Sequence, residues 1–282
     1  MSNQSLLKYR LGLPAWAFPG WKNTYFDAEP SMLANYASVF STVEGNTTFY
    51  HIPNASTVDQ WLEALTDSQC SICFKLPSVV TNQRQPDKKV LEQFLQSIKP
   101  LRNHLGPFLL QFPHWVGPEF LNRFMTIFER VSDVGTAVVE VRNNVFFDEP
   151  ELLEPMLQSL GFGRVMMDTR SLYQGDMKHP EVAAALHEKP NLPILNEVYN
   201  KQVFVRLMLH PDGQNEHWVN EWALKTAQWI NEGIEPNIII HCPNNLHCPR
   251  FAEEFHTRLS LCFQEPLAAL PAWPLPQQGS LL

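Results

Sequence analysis

The chain has 282 residues, 44% hydrophobic and 18% charged, with 21 lysines and arginines against 29 aspartates and glutamates for a formal net charge of −8. This composition excludes a disordered chain, and the acidic balance argues against broad, salt-driven binding to nucleic acid, which needs a basic surface. No run reaches the roughly 18 apolar residues of a membrane span, the first eight residues lack the basic-then-apolar order of a secretory signal, and five scattered cysteines suit a reducing compartment, so a cytoplasmic protein is expected.

Tyr9 to Leu13 reads as a short strand stopped by Pro14, followed by a loop rich in aromatics and breakers that carries Trp16 and Trp21. Pro30-Ser31 opens a helix with Met32, Leu33, Tyr36, Ala37 and Phe40 on one stripe. The stretch from Thr42 to Tyr50 is the most informative. It begins as a strand and then packs a carboxylate, an amide, hydroxyls and two aromatics into a few residues. Alternation along an extended chain places Glu44, Asn46 and Thr48 on one side, with Tyr50 following. Gly45 marks the point where the strand gives way.

Ser56 is the expected N-cap of a helix holding Val58, Trp61, Leu62 and Leu65. Ser71 to Leu76 is a strand interrupted near its end by Lys75, a costly residue there unless paired or facing a wet pocket. A helix from Lys88 to Ile98 leads to the strand Phe108 to Phe112, which ends at Gln111 and Pro113. Phe120 to Val131 follows as a helix whose phenylalanines belong to the core. Thr136 to Val141 is a β-branched strand, and a period of two puts Glu140 and Arg142 on one face. After a helix from Leu152 to Leu160, the strand Gly163 to Asp168 again closes on a carboxylate. Residues 171–200 form an irregular excursion. Lys201 to Met208 is a strand enclosing Arg206, and Trp218, Trp222, Trp229 and Ile230 mark a long helix. Asn237 to Cys242 is the last strand, with His241, Asn244 and Asn245 at its exit. A final helix runs through Phe251, Phe255, Leu259 and Phe263 to a proline-rich, extended tail over 264–282.

Eight apolar runs, most followed by a helical pattern, imply parallel strands joined by crossovers. No glycine-rich dinucleotide fingerprint follows the first strand, which favours an α/β fold with a closed TIM-type (β/α)8-like barrel in a single domain, its core over about 9–263. In such barrels chemistry sits where strands end. That face would gather Glu44, Asn46, Lys75, Gln111, Glu140, Arg142, Asp168, Arg206 and Asn245, with Trp16 and Tyr50 at the rim. The alternative is a plug of salt bridges closing the barrel mouth. Cys70 and Cys73 lie three apart on an extended run, on opposite faces. His241, Cys242, His247 and Cys248 lack the paired spacing of a structural zinc site and read as buried thiols and loop histidines.

Val-Glu-Gly-Asn-Thr-Thr-Phe-Tyr-x-x-Pro at Val43–Pro53, Trp61, Phe-Lys-Leu-Pro at Phe74–Pro77, Gln-Phe-Pro at Gln111–Pro113, Glu-Val-Arg-Asn at Glu140–Asn143, Asp168, Val-Arg-Leu at Val205–Leu207 and the late Asn-Asn pair resemble, in order, the YecE-like family, a domain of unknown function. The resemblance implies a TIM-barrel fold and no settled activity. Gly45 departs from the family's aliphatic residue. Asn82 stands where a histidine commonly follows the threonine, so this chain lacks that imidazole.

From the residues themselves, three carboxylates with Lys75, Arg142 and Arg206 suit a small anionic or polar ligand. Arginine clamps phosphate or carboxylate with paired hydrogen bonds, while a carboxylate or neutral lysine moves protons. The leading expectation is a hydrolase or lyase acting on a small phosphorylated or sugar-like compound. Glu44, Lys75, Glu140 and Asp168 are its candidate catalytic groups, and Trp16, Asn46, Thr48, Tyr50, Gln111, Arg142, Arg206 and Asn245 its candidate binding groups. A metal variant would place Mg²⁺ or Mn²⁺ on Glu44, Glu140 and Asp168. The other class is a non-catalytic module for a nucleotide or nucleic-acid end, stacked on Trp16, Trp21, Phe49 and Tyr50.

Overall fold

A computed structural model of the chain describes residues 8–27, 29, 31–195 and 197–275. Its strands are β1 (Arg10–Leu13), β2 (Thr42–Gly45), β3 (Ser71–Phe74), β4 (Phe108–Gln111), β5 (Ala137–Glu140), β6 (Gly163–Asp168), β7 (Phe204–Met208) and β8 (Asn237–His241). All pair in parallel in one sheet of order β3-β2-β1-β8-β7-β6-β5-β4. The remaining seam, between β3 and β4, carries the bridges Ile72 to Leu105 and Lys75 to Leu109, and Leu76 N donates to Leu109 O at 3.1 Å. The sheet therefore curls into a nearly closed (β/α)8-like barrel, as the strand–helix alternation predicts.

The helices are α1 (Met32–Ala37), α2 (Ala55–Leu65), α3 (Ser78–Thr81), α4 (Lys88–Ile98), α5 (Leu121–Ser132), α6 (Val145–Asp148), α7 (Glu154–Leu160), α8 (Arg170–Gln174), α9 (Pro180–Ala185), α10 (Glu216–Asn231) and α11 (Cys248–Ser260). Each longer one turns an apolar stripe inward, such as Phe124, Ile127, Phe128 and Val131 on α5. None of the described helices is long and apolar enough to cross a membrane.

Several boundaries differ from the sequence reading, each for a local reason. The cap of α2 is Asn54, not Ser56, because Asn54 Oδ1 accepts from Thr57 N at 2.9 Å. Helix α7 begins at Glu154 because Pro150–Leu152 forms a separate 3-10 turn. Lys201 lies outside β7, in a turn with φ of 56° beside the Tyr199–Gln202 bridge. The excursion over 171–200 contains α8 and α9, and its Leu192 joins the inner cluster of Cys73, Leu109, Val138, Val165, Met167, Phe204 and Ile239. Pro30 and the last seven residues of the tail fall outside the described residues. The described part of the tail is extended and packs on the fold: Trp273 meets Tyr25, Phe26 and Phe40, and Pro274 O accepts from Asp27 N at 2.9 Å.

Gly45 is explained by its neighbours. A Cβ there would stand 2.9 Å from Ile72 Cγ2 and 3.0 Å from Phe74 Cδ1, so the two β3 side chains fill the space an aliphatic residue would need.

Candidate active site at the barrel mouth

Side chains alternate across a strand, so the inner cluster fixes which residues point into the barrel. Cys73, Leu109, Val138, Met167, Phe204 and Ile239 face inward. One pleat further on, five strands deliver Lys75, Gln111, Glu140, Arg206 and His241 to the inside, and Glu44 joins them from β2. At the C-terminal end of the strands the interior thus changes from apolar to ionic.

Arg206 is the centre of this layer. Its Nε and Nη2 donate to Glu44 Oε2 and Oε1 at 3.0 and 2.9 Å, a bidentate fork, and its Nη1 donates to Glu140 Oε2. Glu140 Oε1 accepts from Arg142 Nε at 2.9 Å, and Arg142 Nη1 reaches Glu188 O at 3.2 Å. Glu44 also accepts from Asn46 Nδ2 at 2.8 Å, and His241 Nε2 lies 3.2 Å from its Oε2. The tautomer with the proton on Nε2 satisfies that contact. Arg206 and Glu44 are fully buried, as are Glu140 and His241.

Lys75 stands apart from the ion pairs. Its Nζ donates to Gln111 Oε1 at 3.0 Å and lies 3.9 Å from the centre of the Phe49 ring. Lys189, from the segment after α9, is close enough to interact electrostatically with Arg206, Glu44, Glu140 and Arg142. Among the described residues neither lysine has a carboxylate oxygen within 4 Å.

Burial is the largest single influence and would raise the carboxyl pKa values, but Arg206 together with His241 and Asn46 at Glu44, and with Arg142 and Lys75 at Glu140, outweighs it. Glu44 is held well below the usual carboxylate range and Glu140 is lowered to about 2. Burial, then Arg206, lowers Lys75 to about 8, and the same two causes lower Lys189. Burial pulls His241 down to about 4, leaving it neutral at pH 7.

These shifts predict an acid-labile fold. An unfolded histidine titrates near 6.5 and an unfolded glutamate near 4.3. The unfolded chain therefore binds more protons than the folded one, and stability falls as pH drops from about 6.5 to about 4 through His241. It falls again from about 4.3 to about 2 through Glu140. Each step removes on the order of 3 kcal/mol. Urea melts across this range check it, and a flat profile between pH 6.5 and 4.5 would contradict a buried, neutral His241.

Not every predicted residue belongs to the cluster. Asp168 is a correction: Met167 points inward, so Asp168 points out toward the helices. There its Oδ1 and Oδ2 accept from Arg170 Nε and Nη2 at 3.0 and 2.7 Å, and Oδ2 accepts from Trp222 Nε1 at 2.7 Å. The carboxylate anchors α8 and α10 to β6. Asp168→Ala is expected to cost about 2 kcal/mol by stranding the buried Trp222 N–H, Arg170 keeping Glu221 at 3.0 Å, measured by chemical unfolding, while leaving ligand binding at the mouth unchanged.

Thr48 is also absent from the mouth. Strand β2 ends at Gly45 and Asn46–Phe49 is a 3-10 turn, so alternation stops, and Thr48 Oγ1 bonds Lys75 O at 2.7 Å and Gly45 O at 2.9 Å. Asn245 lies in the loop after β8 with φ of 63°, its carbonyl accepting from Trp21 Nε1 at 2.9 Å. Trp16 packs edge-on against Trp61 at 5.3 Å, and Tyr50 is exposed at the rim, edge-on to Phe49 at 5.2 Å. Asn82 caps α3 and accepts from Thr81 Oγ1 at 2.9 Å.

The metal set does not assemble either. Glu44 and Glu140 face Arg206 while Asp168 lies outside the barrel wall, and no group of three or more His, Cys, Asp or Glu among the described residues is placed to hold an ion. His241 points to Glu44, whereas Cys242 and Cys248 meet each other with sulfurs 3.6 Å apart.

His241 and Lys189 join the site without having been expected there. In Asn237-Ile-Ile-Ile-His241 the period of two pairs His241 with Ile239 and Asn237, which was a readable signal once Ile239 was known to face inward. Lys189 sits in an irregular segment, where no periodicity exists to place it.

A family profile described as "Protein of unknown function DUF72" matches residues 10–277. The UPF0759 protein YecE of Escherichia coli K12 is 30% identical over 278 residues, spanning 96% of this chain and 98% of that protein. A DUF72 family protein from Enterococcus faecalis V583 superposes with a TM-score of 0.68 at 19% identity, over 93% of this chain and 99% of its own. A second, from Thermotoga maritima MSB8, gives 0.56 at 20% identity, over 87% and 99%. With its ordered motifs, its barrel and the profile match in agreement, the chain belongs to the DUF72 family.

Proposed function

We propose that the barrel mouth binds a small anionic substrate, phosphorylated or sugar-like, and that the protein is an enzyme of the lyase type. One observation supports this above the rest. The mouth holds four cationic side chains, Arg142, Arg206, Lys75 and Lys189, against two carboxylates, Glu44 and Glu140. In a chain whose net charge is −8, a surplus of two positive charges is concentrated in a poorly solvated place. Such charge is costly unless an anion completes it. Arg142 and Lys189 at the rim are the anion holders, and Arg206, locked between its two glutamates, sets the field.

The same geometry argues for lyase over hydrolase chemistry. A hydrolase working with two carboxyl groups needs one of them protonated near neutrality, whereas Glu44 and Glu140 are both driven to the ionised form. Lys75, lowered to about 8, is the group poised to exchange a proton at working pH.

Thermal unfolding with inorganic phosphate, phosphate monoesters, neutral sugars and nucleotides tests this. The midpoint is expected to rise with the phosphates through binding to the native state and to stay put with neutral sugars. No rise with any anion at millimolar concentration would remove the proposal. The exposed Tyr50 beside Phe49 favours a second reading, a binding site for a nucleotide end; a shift with nucleotides and none with sugar phosphates would select it.

A further inference from the structure

Resting on that reading of the mouth, we infer that Lys75 is a nucleophile that forms a covalent imine with an aldehyde or ketone, so that the substrate class is a small anionic carbonyl compound. Lys75 continues inward from the end of β3, at the level where the interior turns ionic. An ammonium has three donors. One is on Gln111 Oε1 and one faces the Phe49 ring, while no carboxylate engages the nitrogen. A lysine kept for structure in this layer would be expected to pair with Glu140 or Glu44. Both carboxylates are instead taken by Arg206, Arg142, Asn46 and His241.

The arrangement matches the known requirement for an amine nucleophile, a desolvated lysine beside a second cation. A pKa of about 8 leaves about a tenth of Lys75 as free amine at pH 7, against roughly one in three thousand for a solvated lysine. The amine nitrogen attacks the carbonyl carbon, and the C=O electron pair moves to oxygen. The resulting carbinolamine takes up one proton, its C–O bond breaks, and water leaves. The product is a protonated C=N⁺ bond to Lys75. That proton comes from solvent at the mouth, where Lys189, its own pKa lowered, adds a second amine to the field of Arg206, Glu44, Glu140 and Arg142. The iminium stays near the negative charge of Glu140 and Glu44. It can then accept the electron pair of a neighbouring C–C bond whose far carbon carries a hydroxyl: that carbon leaves as a carbonyl and its hydroxyl proton passes to solvent, which is the lyase step. Protonation of the resulting enamine followed by hydrolysis of the iminium releases the product and returns Lys75 as the amine.

Glyoxylate, a small anionic aldehyde, is the probe. The purified protein is incubated with it and sodium cyanoborohydride at pH 7, and adducts are located by peptide mass mapping. Hydride reduces the imine to a stable secondary amine, adding the mass of the probe less one oxygen. Lys75 is expected to be labelled more than tenfold faster than the surface lysines, and inorganic phosphate is expected to slow that labelling. Lys75→Met should lose the adduct while keeping a cooperative melt; if that variant does not fold, the wild-type map still decides. Labelling spread evenly over surface lysines, with phosphate still raising the melting midpoint, would overturn the imine and leave the anion site standing. Neither selective labelling nor a phosphate shift would overturn both.

Discussion

Arg206→Met is expected to lower stability by about 3–5 kcal/mol, because it leaves Glu44 and Glu140 buried without their shared cation. For a chain of this size that is a fall in melting midpoint on the order of 10 °C. The pH profile should also invert. In the native protein the carboxyl pKa values are depressed and stability grows as pH rises out of the acid range. Without Arg206, burial raises them, so the folded variant keeps protons that the unfolded chain releases above about 4.3, and its stability declines toward neutral pH. Adding Glu44→Gln removes one of the stranded charges and should recover part of the loss. Urea melts of the single and double variants between pH 5 and 8 check both statements. A wild-type-like profile would mean that the ionic layer is not organised by Arg206.

Lys75→Met is expected to act in the opposite direction, raising stability at pH 7 by up to about 3 kcal/mol. The cause is the cost of burying an ammonium, visible as the drop of its pKa from 10.5 to about 8. Between pH 8 and 10.5 the unfolded wild type holds a proton that the fold has released, so wild-type stability rises with pH across that window. The variant has no such rise, and its advantage should fade by about pH 10.5. Lost contacts with Gln111 and Phe49 subtract from the gain. A more stable protein that has lost its reaction with glyoxylate would be the signature of a residue held in place for chemistry. A midpoint at pH 7 equal to or below the wild type would show that those two contacts repay the burial.

The barrel was readable because its signal is repeated eight times. Gly163–Asp168 and Lys88–Ile98 were bounded from sequence as they stand in the structure. The inward ring was partly readable: Glu44, Lys75, Gln111, Glu140 and Arg206 each interrupt or end an apolar strand, and a charge there has few reasons to exist. Asp168 shows the limit of that argument. A strand buried on both faces is apolar throughout, so Gly-Arg-Val-Met-Met-Asp does not reveal which parity faces the barrel and which the helices. Arg164 shares the parity of Asp168 and pairs outside the wall with Glu154 at 3.2 Å, a partner nothing in the local pattern announces. Thr48 failed differently: a 3-10 turn, invisible to alternation, rotated it onto the backbone of β3.

The position of β1 in the sheet bears on how the chain is made. β1 sits between β2 and β8, and its Gly12 pairs with both Thr42 and Ile239. At ribosomal speeds of about 5–20 residues per second, the second of those partners emerges on the order of tens of seconds after the first strand. During that interval β1 has one bare edge, an exposed row of amide and carbonyl groups able to recruit a neighbouring nascent chain. Arg10, at the start of this strand, places a charge there and is held in the finished protein by Glu235, two residues before β8. The last strand made is thus also the one that removes the hazard of the first.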